Sequence, residues 1–295
     1  MKIHYTACPV CGHTHFHEAL QAKDHTVSGE TFTIISCNQC GFMLTQDVPD
    51  ADHIGPYYAA DAYVSHTDTE DSFFFKVYKW VRNYAIRTKA GWVEKYSRRN
   101  KGNLLDVGCG TGYFLAEMRS RGWQITGLEP SETARKVAES KHQLFPQLPQ
   151  KLYTFPQDTF DVITLWHVLE HVHDLNGYFE AFNKILKQGG VLLIAVPNPE
   201  SQDAKQYGAD WAAWDVPRHL YHFTPAVMKQ LADKHGFERE KMHPMWFDAF
   251  YVSMLSREIR KQPKWPGAFA GLRSNIHAMT NNSQSSSVVY VLRKR

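Results

Sequence analysis

Over the later part of the chain, short apolar runs alternate with segments in which apolar residues recur every three or four positions. Such runs are typical of buried strands, and the longer spacing is typical of amphipathic helices. Their alternation predicts a doubly wound α/β sheet over residues 101–295. The predicted strands are Asn103–Val107, Gln124–Glu129, Phe160–Trp166, Gly190–Pro197 and Val288–Arg293, with a further short strand over His142–Leu148. The predicted helices are Tyr113–Arg121, Ser131–Lys141, Leu175–Leu186 and Thr224–His235, the last with Thr224 as N-cap and Pro225 in its first turn.

The preceding region, residues 46–100, is predicted to be a connecting helical segment. After loop signals at Asp47–Pro56, apolar residues at helical spacing predict one long helix from Asp71 to Tyr96. Basic residues along this helix suit either an RNA-binding face or an ordinary solvated face, and their weak clustering favours the solvated face. They include Lys76, Lys79, Arg82, Arg87 and Lys89.

Residues 1–45 carry four of the chain's five cysteines in two matching CxxCG units. The glycine after each pair permits a left-handed turn, so backbone N–H groups can point toward the thiolates. Four such thiolates form a closed tetrahedral Zn²⁺ site, which stabilises a segment too short for a core of its own. A redox dithiol normally uses one CxxC on a thioredoxin-like unit, which is not visible here. The sequence therefore predicts a zinc-ribbon-like module. Its predicted structural metal ligands are Cys8, Cys11, Cys37 and Cys40.

A glycine-rich turn, DVGCGTG at 106–112, follows the first strand of the predicted sheet and opens a helix. Glycines let a backbone approach a ligand, and a helix N-terminus attracts a pyrophosphate or a carboxylate. The dinucleotide fingerprint is GxGxxG, whereas this turn reads GxGxG and follows Asp106. That carboxylate repels a pyrophosphate and suits a ligand that is cationic beside the turn. Glu129, after the next strand, is suited to two ribose hydroxyls, as in nicotinamide-binding sites.

The turn resembles motif I of class I S-adenosylmethionine-dependent methyltransferases. Two later segments resemble further motifs of that family in the same order: HVLEHV at His167–Val172 after the fourth strand, and LKQGGVLLIAVPNP at Leu186–Pro199 at the fifth. The resemblance implies a Rossmann-like methyltransferase sheet with S-adenosylmethionine as cofactor. It implies that the cofactor-binding residues are Asp106, Gly108, Gly110, Gly112, Tyr113, Glu129, Pro130, Trp166 and His167. Many relatives hold the adenine with an aspartate after the third strand, for which Asp158 is the candidate.

The segment Asp215–Pro225 follows the fifth strand and is expected at the carboxyl edge of the sheet, where ligands bind in this fold class. Histidine exchanges protons near neutral pH, so His219 is the first candidate for a catalytic base and His222 the second. The alternative is that both histidines only brace the helix that starts at Thr224.

A zinc module joined to a class I domain resembles a methyltransferase group that includes sugar C-methyltransferases of antibiotic pathways. In that group a Glu-His pair in the loop after the fifth strand acts on the sugar. His219 matches the histidine, but Arg218 stands in place of the glutamate. The resemblance also implies that tyrosines after the zinc module line the substrate pocket. The predicted pocket residues are Tyr57, Tyr58 and Tyr63, together with Tyr221 from the histidine loop.

A competing pattern, HxxEH at His167–His171, is the signature of one class of zinc metalloprotease. It would use both histidines as ligands on one helix face and Glu170 as base, with His219 or His222 as a third ligand. The protease motif needs a helix of its own, whereas this segment begins directly after a predicted strand. The methyltransferase interpretation is therefore favoured.

Composition narrows the function classes further. The chain is 43% hydrophobic and 21% charged with a net charge of +3, which lacks the basic excess typical of nucleic-acid binders. Neither a membrane-spanning run nor a signal-like N-terminus is visible, so a cytoplasmic protein is expected. The predicted function is methylation of a small molecule, such as a sugar or other metabolite, at carbon or oxygen. The alternatives are a zinc-module RNA methyltransferase and a protein that binds the cofactor without turnover.

Overall fold

The structure is a computed structural model that describes residues 1–58, 73–99, 101–280 and 282–295. Tyr63, a predicted pocket residue, lies outside the described residues. The strands are β1 (Lys2–Ile3), β2 (Phe16–Lys23), β3 (Thr31–Cys37), β4 (Met43–Thr45), β5 (Val48–Pro49), β6 (Asn103–Val107), β7 (Gln124–Leu128), β8 (Phe160–Trp166), β9 (Leu186–Pro197), β10 (Tyr221–His222), β11 (Phe237–Pro244) and β12 (Ser287–Lys294). The α-helices are α1 (Phe73–Ser97), α2 (Tyr113–Ser120), α3 (Glu132–His142), α4 (Leu175–Ile185), α5 (Gln202–Tyr207), α6 (Pro225–Lys234), α7 (Trp246–Ile259) and α8 (Gly267–Thr280).

A six-stranded sheet forms the centre of the fold, in the order β7–β6–β8–β9–β12–β11. The first four strands are parallel, and β12 and β11 are antiparallel to their neighbours. The winding reverses between β6 and β8, which is the switch point where open α/β sheets bind ligands. The predicted doubly wound, Rossmann-like sheet is confirmed, and so is the long helix before it.

Both faces of this sheet are covered by helices. Leu105 and Ile163 belong to a core that includes residues of α4 and α6, whereas Leu104 and Val162 belong to a second core with residues of α1, α2 and α3. Successive strand residues point to opposite faces. Burial on both faces therefore explains why the parallel strands are almost continuously apolar in sequence.

The strand predicted over His142–Leu148 is wrong. Helix α3 continues to His142, and the segment after it makes one isolated bridge, between Gln147 and Leu128. Pro146 and Pro149 flank this bridge, and proline has no N–H to donate to a strand ladder. The segment therefore follows the edge of β7 without extending the sheet.

The N-terminal module shares a sheet with the second half of the chain. Its four-stranded sheet has the order β10–β4–β3–β2, so Tyr221 and His222 form an edge strand paired with Leu44 and Met43. The module's apolar side chains also belong to the same core as those of the large sheet. The segments on either side of the boundary predicted near residue 45 therefore fold together.

Helices α7 and α8 pack tightly against each other before the last strand. A Cβ at Gly267 would lie 2.8 Å from Met254 Cα, and one at Gly271 would lie 2.7 Å from Phe250 Cα. Only glycine permits this approach of the two helices. Within the described residues, none of the helices combines the length and the apolar character that a membrane crossing requires.

Candidate active site

The glycine-rich turn joins β6 to α2 at the carboxyl edge of the sheet. Gly108, Gly110 and Gly112 all have left-handed φ angles, of +69°, +54° and +83°. A Cβ at Gly108 would lie 2.3 Å from Val168, and one at Gly112 would lie 2.9 Å from Leu144. A Cβ at Gly110 would meet nothing within 4 Å. The outer two glycines therefore let the turn pack closely, and Gly110 is where a ligand can approach the backbone.

The backbone N–H groups of this turn are largely used within the protein. Those of Gly108 and Cys109 both donate to the Leu128 carbonyl, at 2.7 and 3.0 Å. The Gly110 N–H donates to Glu129 Oε2 at 2.8 Å. These three amides therefore hold the turn against the end of β7 and the Glu129 carboxylate.

Asp106 is a buried carboxylate beside the turn, with 1% of its surface exposed. Its Oδ1 accepts a hydrogen bond of 2.6 Å from Thr164 Oγ1. Burial raises the pKa of Asp106 to about 7, although the Thr164 hydroxyl and the Lys89 ammonium act in the opposite direction. A cation bound next to Asp106 favours its ionised form. The site therefore provides the negative group that the sequence analysis expected for a cationic ligand.

Glu129 lies at the end of β7 and is also buried. Its Oε2 and Oε1 accept 2.8 Å hydrogen bonds from the N–H groups of Gly110 and Ser131. Burial raises the pKa of Glu129, and these two donors partly oppose that effect. Each carboxylate oxygen has a second lone pair, so two ribose hydroxyls can still donate to it. That contact stays a prediction.

A lysine that the sequence analysis placed on a solvated face points into this site. The Nζ atom of Lys89, on α1, lies 4.6 Å from the centroid of the Trp166 ring. Burial lowers the pKa of Lys89, whereas the carboxylates of Asp248 and Asp106 raise it. The Lys89 ammonium therefore lies near Asp106 and Trp166, two of the residues that are predicted to bind the cofactor.

His167 links two carboxylates directly after β8. Its Nε2 lies 2.9 Å from Asp248 Oδ2, and its Nδ1 lies 3.4 Å from Glu170 Oε1. Burial lowers the pKa of His167, but the two carboxylates outweigh this and bring it to about 10. His167 is therefore a cation at neutral pH. Sequence reasoning missed Asp248 because it stands alone in the otherwise apolar start of α7.

A buried cluster of Glu170, His171 and His219 lies beside His167. One nitrogen or oxygen atom from each residue lies within 4.8 Å of the others. The rings of His171 and His219 meet edge-on, with centroids 4.6 Å apart. Glu170 is 1% exposed, and neither of its carboxylate oxygens accepts a hydrogen bond from the described part of the chain. The His167 cation, at 3.4 Å, balances the charge of Glu170 but leaves the lone pairs of both oxygens available to a proton, a cation or a ligand.

The hydrogen bonds of His219 determine which of its nitrogens can accept a proton. Nδ1 lies 2.9 Å from the Ala213 carbonyl, to which only a protonated nitrogen can donate. In the neutral ring Nε2 is therefore the acceptor, and it lies 3.8 Å from Asp215 Oδ2. Burial and repulsion from His219 lower the pKa of His171 to about 4, so His171 is neutral. The predicted base thus keeps one nitrogen, Nε2, that can accept a proton.

Comparison with known proteins identifies the family. Residues 81–241, more than half of the chain, match the family described as "Methyltransferase domain", to which the chain therefore belongs. This chain is an S-adenosylmethionine-dependent methyltransferase. The predicted class and cofactor are confirmed, and residues 1–45 lie outside the matched region.

A curated relative agrees with this assignment, and solved structures share the fold. A ubiquinone biosynthesis O-methyltransferase of Idiomarina loihiensis is 27% identical to the methyltransferase over 184 residues, covering 58% of this chain and 76% of that protein. An S-adenosylmethionine-dependent methyltransferase from Archaeoglobus fulgidus has the same fold, with a TM-score of 0.52 and 17% identity over 76% of this chain and 100% of its own. Geranyl diphosphate C-methyltransferase from Streptomyces coelicolor A3(2) has a TM-score of 0.51 and 14% identity, covering 79% of this chain and 89% of its own.

His222 and Tyr221 of the methyltransferase lie behind the cluster, in strand β10. His222 is 4% exposed, its Nε2 lies 3.1 Å from Thr45 Oγ1, and burial lowers its pKa well below the usual range. The Tyr221 hydroxyl donates to the His173 carbonyl at 3.2 Å, and its ring stacks on Phe42. Both residues join the module to the domain. The catalytic role of His222 and the pocket role of Tyr221 stay predictions that these contacts do not favour.

Of the two described tyrosines after the zinc module, the structure brings one to the cluster. The Tyr58 hydroxyl lies 3.0 Å from His171 Nδ1. The Tyr57 hydroxyl instead donates to Glu30 Oε1 at 2.9 Å, on the N-terminal module. Tyr58 is therefore the better placed of the two to meet an acceptor molecule.

Arg218 occupies the loop position for which the predicted resemblance to sugar C-methyltransferases implies a glutamate. It is 1% exposed and donates from Nε to Asp215 Oδ2 at 3.0 Å. Its Nη2 lies 3.3 Å from Asp24 Oδ1, and its Nη1 donates to the Tyr57 carbonyl at 2.8 Å. Asp24 belongs to the N-terminal module and is also 1% exposed. Arg218 therefore anchors the histidine loop to the module.

Tyr113 and Pro130, two further predicted cofactor residues, have protein partners in the structure. The Tyr113 ring lies 4.5 Å from the ring of His142, with the Arg82 guanidinium 4.0 Å from its centroid. The Pro130 carbonyl accepts a hydrogen bond of 2.7 Å from Arg135. Their contacts with the cofactor stay predictions.

Asp158, the candidate for holding the adenine, lies at the opposite edge of the sheet from the predicted cofactor residues. It precedes the first residue of β8, whereas the glycine turn and Glu129 lie at the carboxyl ends of the strands. A seven-residue strand separates these edges by about 20 Å. Asp158 instead lies near Lys294 Nζ, at 3.3 Å.

The HxxEH segment does not have the geometry of a metalloprotease. Residues Leu169–His171 form a single 3₁₀ turn after β8, not an α-helix with two histidines on one face. His167 is a cation held between Asp248 and Glu170, and a protonated imidazole is not a metal ligand. Glu170, His171 and His219 nevertheless offer the carboxylate and imidazole atoms that a divalent cation takes as ligands.

The four N-terminal cysteines converge on one point. Cys8 Sγ lies 3.5 Å from Cys40 Sγ, and Cys11 Sγ lies 3.5 Å from Cys37 Sγ. All four sulfur atoms lie within 4.8 Å of one another. Four sulfurs around a tetrahedral zinc, each about 2.3 Å from it, are about 3.8 Å apart. The donor set and its spacing therefore fit a zinc ion.

Proposed function

We propose that the methyltransferase acts on an oxygen atom of a small molecule, with His219 as the general base. The observation that carries this proposal is the orientation of His219, whose Nδ1 donates to the Ala213 carbonyl and leaves Nε2 as an acceptor. A hydroxyl group must lose its proton to become a good nucleophile, and a neutral imidazole accepts protons near pH 7. An O-methyltransferase among the relatives supports an oxygen acceptor.

Bound S-adenosylmethionine supplies an electrophilic methyl group on a sulfonium ion. Asp106 would hold the cationic part of the cofactor, and Glu129 would hold the ribose. His219 Nε2 would take the proton of the acceptor hydroxyl, so that the acceptor oxygen could serve as the nucleophile for the methyl group, with the electron pair of the broken carbon–sulfur bond left on the cofactor. The nearby Glu170 carboxylate stabilises the imidazolium that results. Fixing the acceptor at the correct distance and angle accounts for much of the acceleration in such displacements.

Carbon methylation of a sugar is a second candidate, because a glutamate–histidine pair is present after all. Arg218 replaces the glutamate of the histidine loop, but Glu170 brings a carboxylate from another segment to within 4.8 Å of His219. A glutamate and a histidine from separate segments can remove a carbon-bound proton next to a carbonyl just as effectively as a pair from one loop. The position of the transferred methyl group in the product separates this reaction from O-methylation.

The same cluster has a third use, which is to hold a divalent cation that orients the acceptor. The two Glu170 oxygens favour this use, because neither accepts a hydrogen bond from the described residues. Brief treatment with a chelator distinguishes a cation site from a general base, provided that the zinc bound by the N-terminal cysteines is measured in the same sample. If His219 is the base, activity persists while zinc is retained. If the cluster holds a cation, activity is lost and returns with Mg²⁺ or Mn²⁺.

We also propose that Cys8, Cys11, Cys37 and Cys40 bind a structural zinc that supports the histidine loop. Support comes from Thr45, at the end of β4 in the module. Its Oγ1 donates to the His219 carbonyl at 2.7 Å. Loss of zinc is expected to loosen β4 and, through it, the backbone that carries the base.

The test is incubation of the purified enzyme with methyl-labelled S-adenosylmethionine and an extract of its source cells, followed by separation of products by size. The proposal expects label in small molecules, and none with His219→Asn, a variant that keeps cofactor affinity. Label in RNA would overturn the proposal and favour the RNA methyltransferase alternative. Cofactor binding without label in any fraction would support the non-catalytic alternative.

A further inference from the structure

Helix α8 has its small residues inward and its large apolar residues outward. Gly271, Ser274 and Ala278 are buried, and their spacing of three and four residues forms one side of the helix. Gly271 packs on α7, and the Ser274 hydroxyl donates to Asp203 Oδ1 of α5 at 2.8 Å. The large apolar residues of α8 lie outside this buried side.

The outward side of α8 carries a continuous apolar stripe. Phe269, Leu272, Ile276 and Met279 follow one another at helical spacing and are 63%, 48%, 56% and 73% exposed. Trp265, in the turn before α8, is 69% exposed, and its ring centroid lies 5.8 Å from that of Phe269. We name these five residues the α8 stripe. Single exposed apolar residues are ordinary, but a connected group of this size marks a binding surface.

The charges around the α8 stripe are almost all positive. Residues 257–280 contain five basic residues and one acidic residue, Glu258, which is paired with Lys264 at 2.9 Å. The basic residues are Arg257, Arg260, Lys261, Lys264 and Arg273, of which Arg260 also has an acidic partner, Asp210, at 2.8 Å. A partner that binds the α8 stripe must therefore offer an apolar region to the stripe and anionic groups to the basic residues around it.

These two properties separate the candidate partners. An RNA backbone matches the charges but gives the apolar stripe nothing to bury. A second copy of the chain matches the stripe, but a two-fold interface would bring its basic residues against each other. An anionic bilayer matches both, because aromatic and aliphatic side chains enter the headgroup boundary while lysine and arginine contact the phosphates.

We propose that the α8 stripe docks the methyltransferase on the surface of a membrane that contains anionic phospholipid. Trp265 and Phe269 enter the boundary between headgroups and acyl chains, and Lys261 and Arg273 lie at the phosphates. The docking does not depend on which atom accepts the methyl group, so it goes beyond the proposed function and is tested separately from it.

The experiment is sedimentation of the full-length enzyme with vesicles of phosphatidylcholine alone and of an equimolar mixture with phosphatidylglycerol. We expect binding to the mixed vesicles, weakened by high salt, and little binding to the neutral ones. The double variant Phe269→Ser, Ile276→Ser is expected to reduce the partition onto mixed vesicles by at least about tenfold. Phe145→Ser is the matched control, since Phe145 is 74% exposed after α3 and outside the stripe.

A second double variant, Lys261→Glu with Arg273→Glu, leaves the α8 stripe intact and tests the contribution of the charges. Its result does not depend on whether the Phe269→Ser, Ile276→Ser variant folds correctly. The second variant is expected to lose binding to mixed vesicles while binding S-adenosylmethionine normally. Equal binding to neutral and mixed vesicles, or unchanged binding by both variants, would overturn the proposal. So would a dimer in size-exclusion chromatography with light scattering that the Phe269→Ser, Ile276→Ser change converts to monomers.

Discussion

Acidification from pH 8 to pH 6 should weaken the binding of S-adenosylmethionine because Asp106 becomes protonated. The pKa of this buried carboxyl is about 7 in the cofactor-free protein. The raised value means that the group is neutral below pH 7 and charged above it. A cationic ligand favours the charged form, so binding below pH 7 must release a proton, and affinity falls as the pH falls.

The size of the effect follows from the pKa. For one proton competing with the ligand, the apparent Kd rises by the factor 1 + 10^(pKa − pH). With a pKa of about 7, this factor is about two at pH 7 and about ten at pH 6. A tenfold change corresponds to about 1.4 kcal/mol of binding free energy.

Isothermal titration calorimetry in two buffers of different ionisation enthalpy measures both Kd and the proton released. We expect about one proton released at pH 6 and almost none at pH 8. Thr164→Val removes the hydroxyl that lowers the pKa of Asp106, so it should move the midpoint of the profile to higher pH. Thr164→Ser keeps the donor and is the control.

Asp106→Asn is the decisive variant, because it should bind more weakly at pH 8 and show no change in Kd between pH 6 and pH 8. The reasoning is refuted if the wild-type Kd is constant over this range. It is also refuted if Asp106→Asn retains the wild-type profile, which would assign the proton to Glu129, whose pKa burial also raises.

Three further predictions concern the base, the loop anchor and the metal. His219→Asn should lower kcat/KM at least about a hundredfold while leaving the Kd of S-adenosylmethionine within about twofold, and an equal loss of both would assign His219 to folding. Arg218→Met leaves Asp24 and Asp215 without their buried partner, so the free energy of unfolding measured in urea should fall by about 3–5 kcal/mol. The control is Lys229→Met, which removes an exposed ion pair and should lower this free energy by about 0.5 kcal/mol or less. Elemental analysis should find zinc in wild type and Cys109→Ser but not in Cys37→Ser; zinc in all three would contradict the four-cysteine site.

The parallel strands and the cofactor turn could be predicted because their signals are local. Burial on both faces makes β8 and β9 continuously apolar, and the glycines of the turn follow Asp106 within a few residues. The charged surroundings could not be predicted. Lys89 and Asp248 reach the site from α1 and α7, and Glu170 meets His219 from a segment about fifty residues earlier in the chain. Periodicity assigns a residue to a helix face but does not show which distant carboxylate that face meets.

Strand β10 has a consequence for how enzymes of this type can be recombined. Its two residues, Tyr221 and His222, complete the sheet of a module that ends almost two hundred positions earlier in the chain. A chimera that joins this module at residue 45 to a foreign catalytic domain would leave the edge of β4 without a partner strand. It would also separate Asp24 from Arg218. The module and the histidine loop must therefore be inherited together, and a functional graft needs two crossover points instead of one.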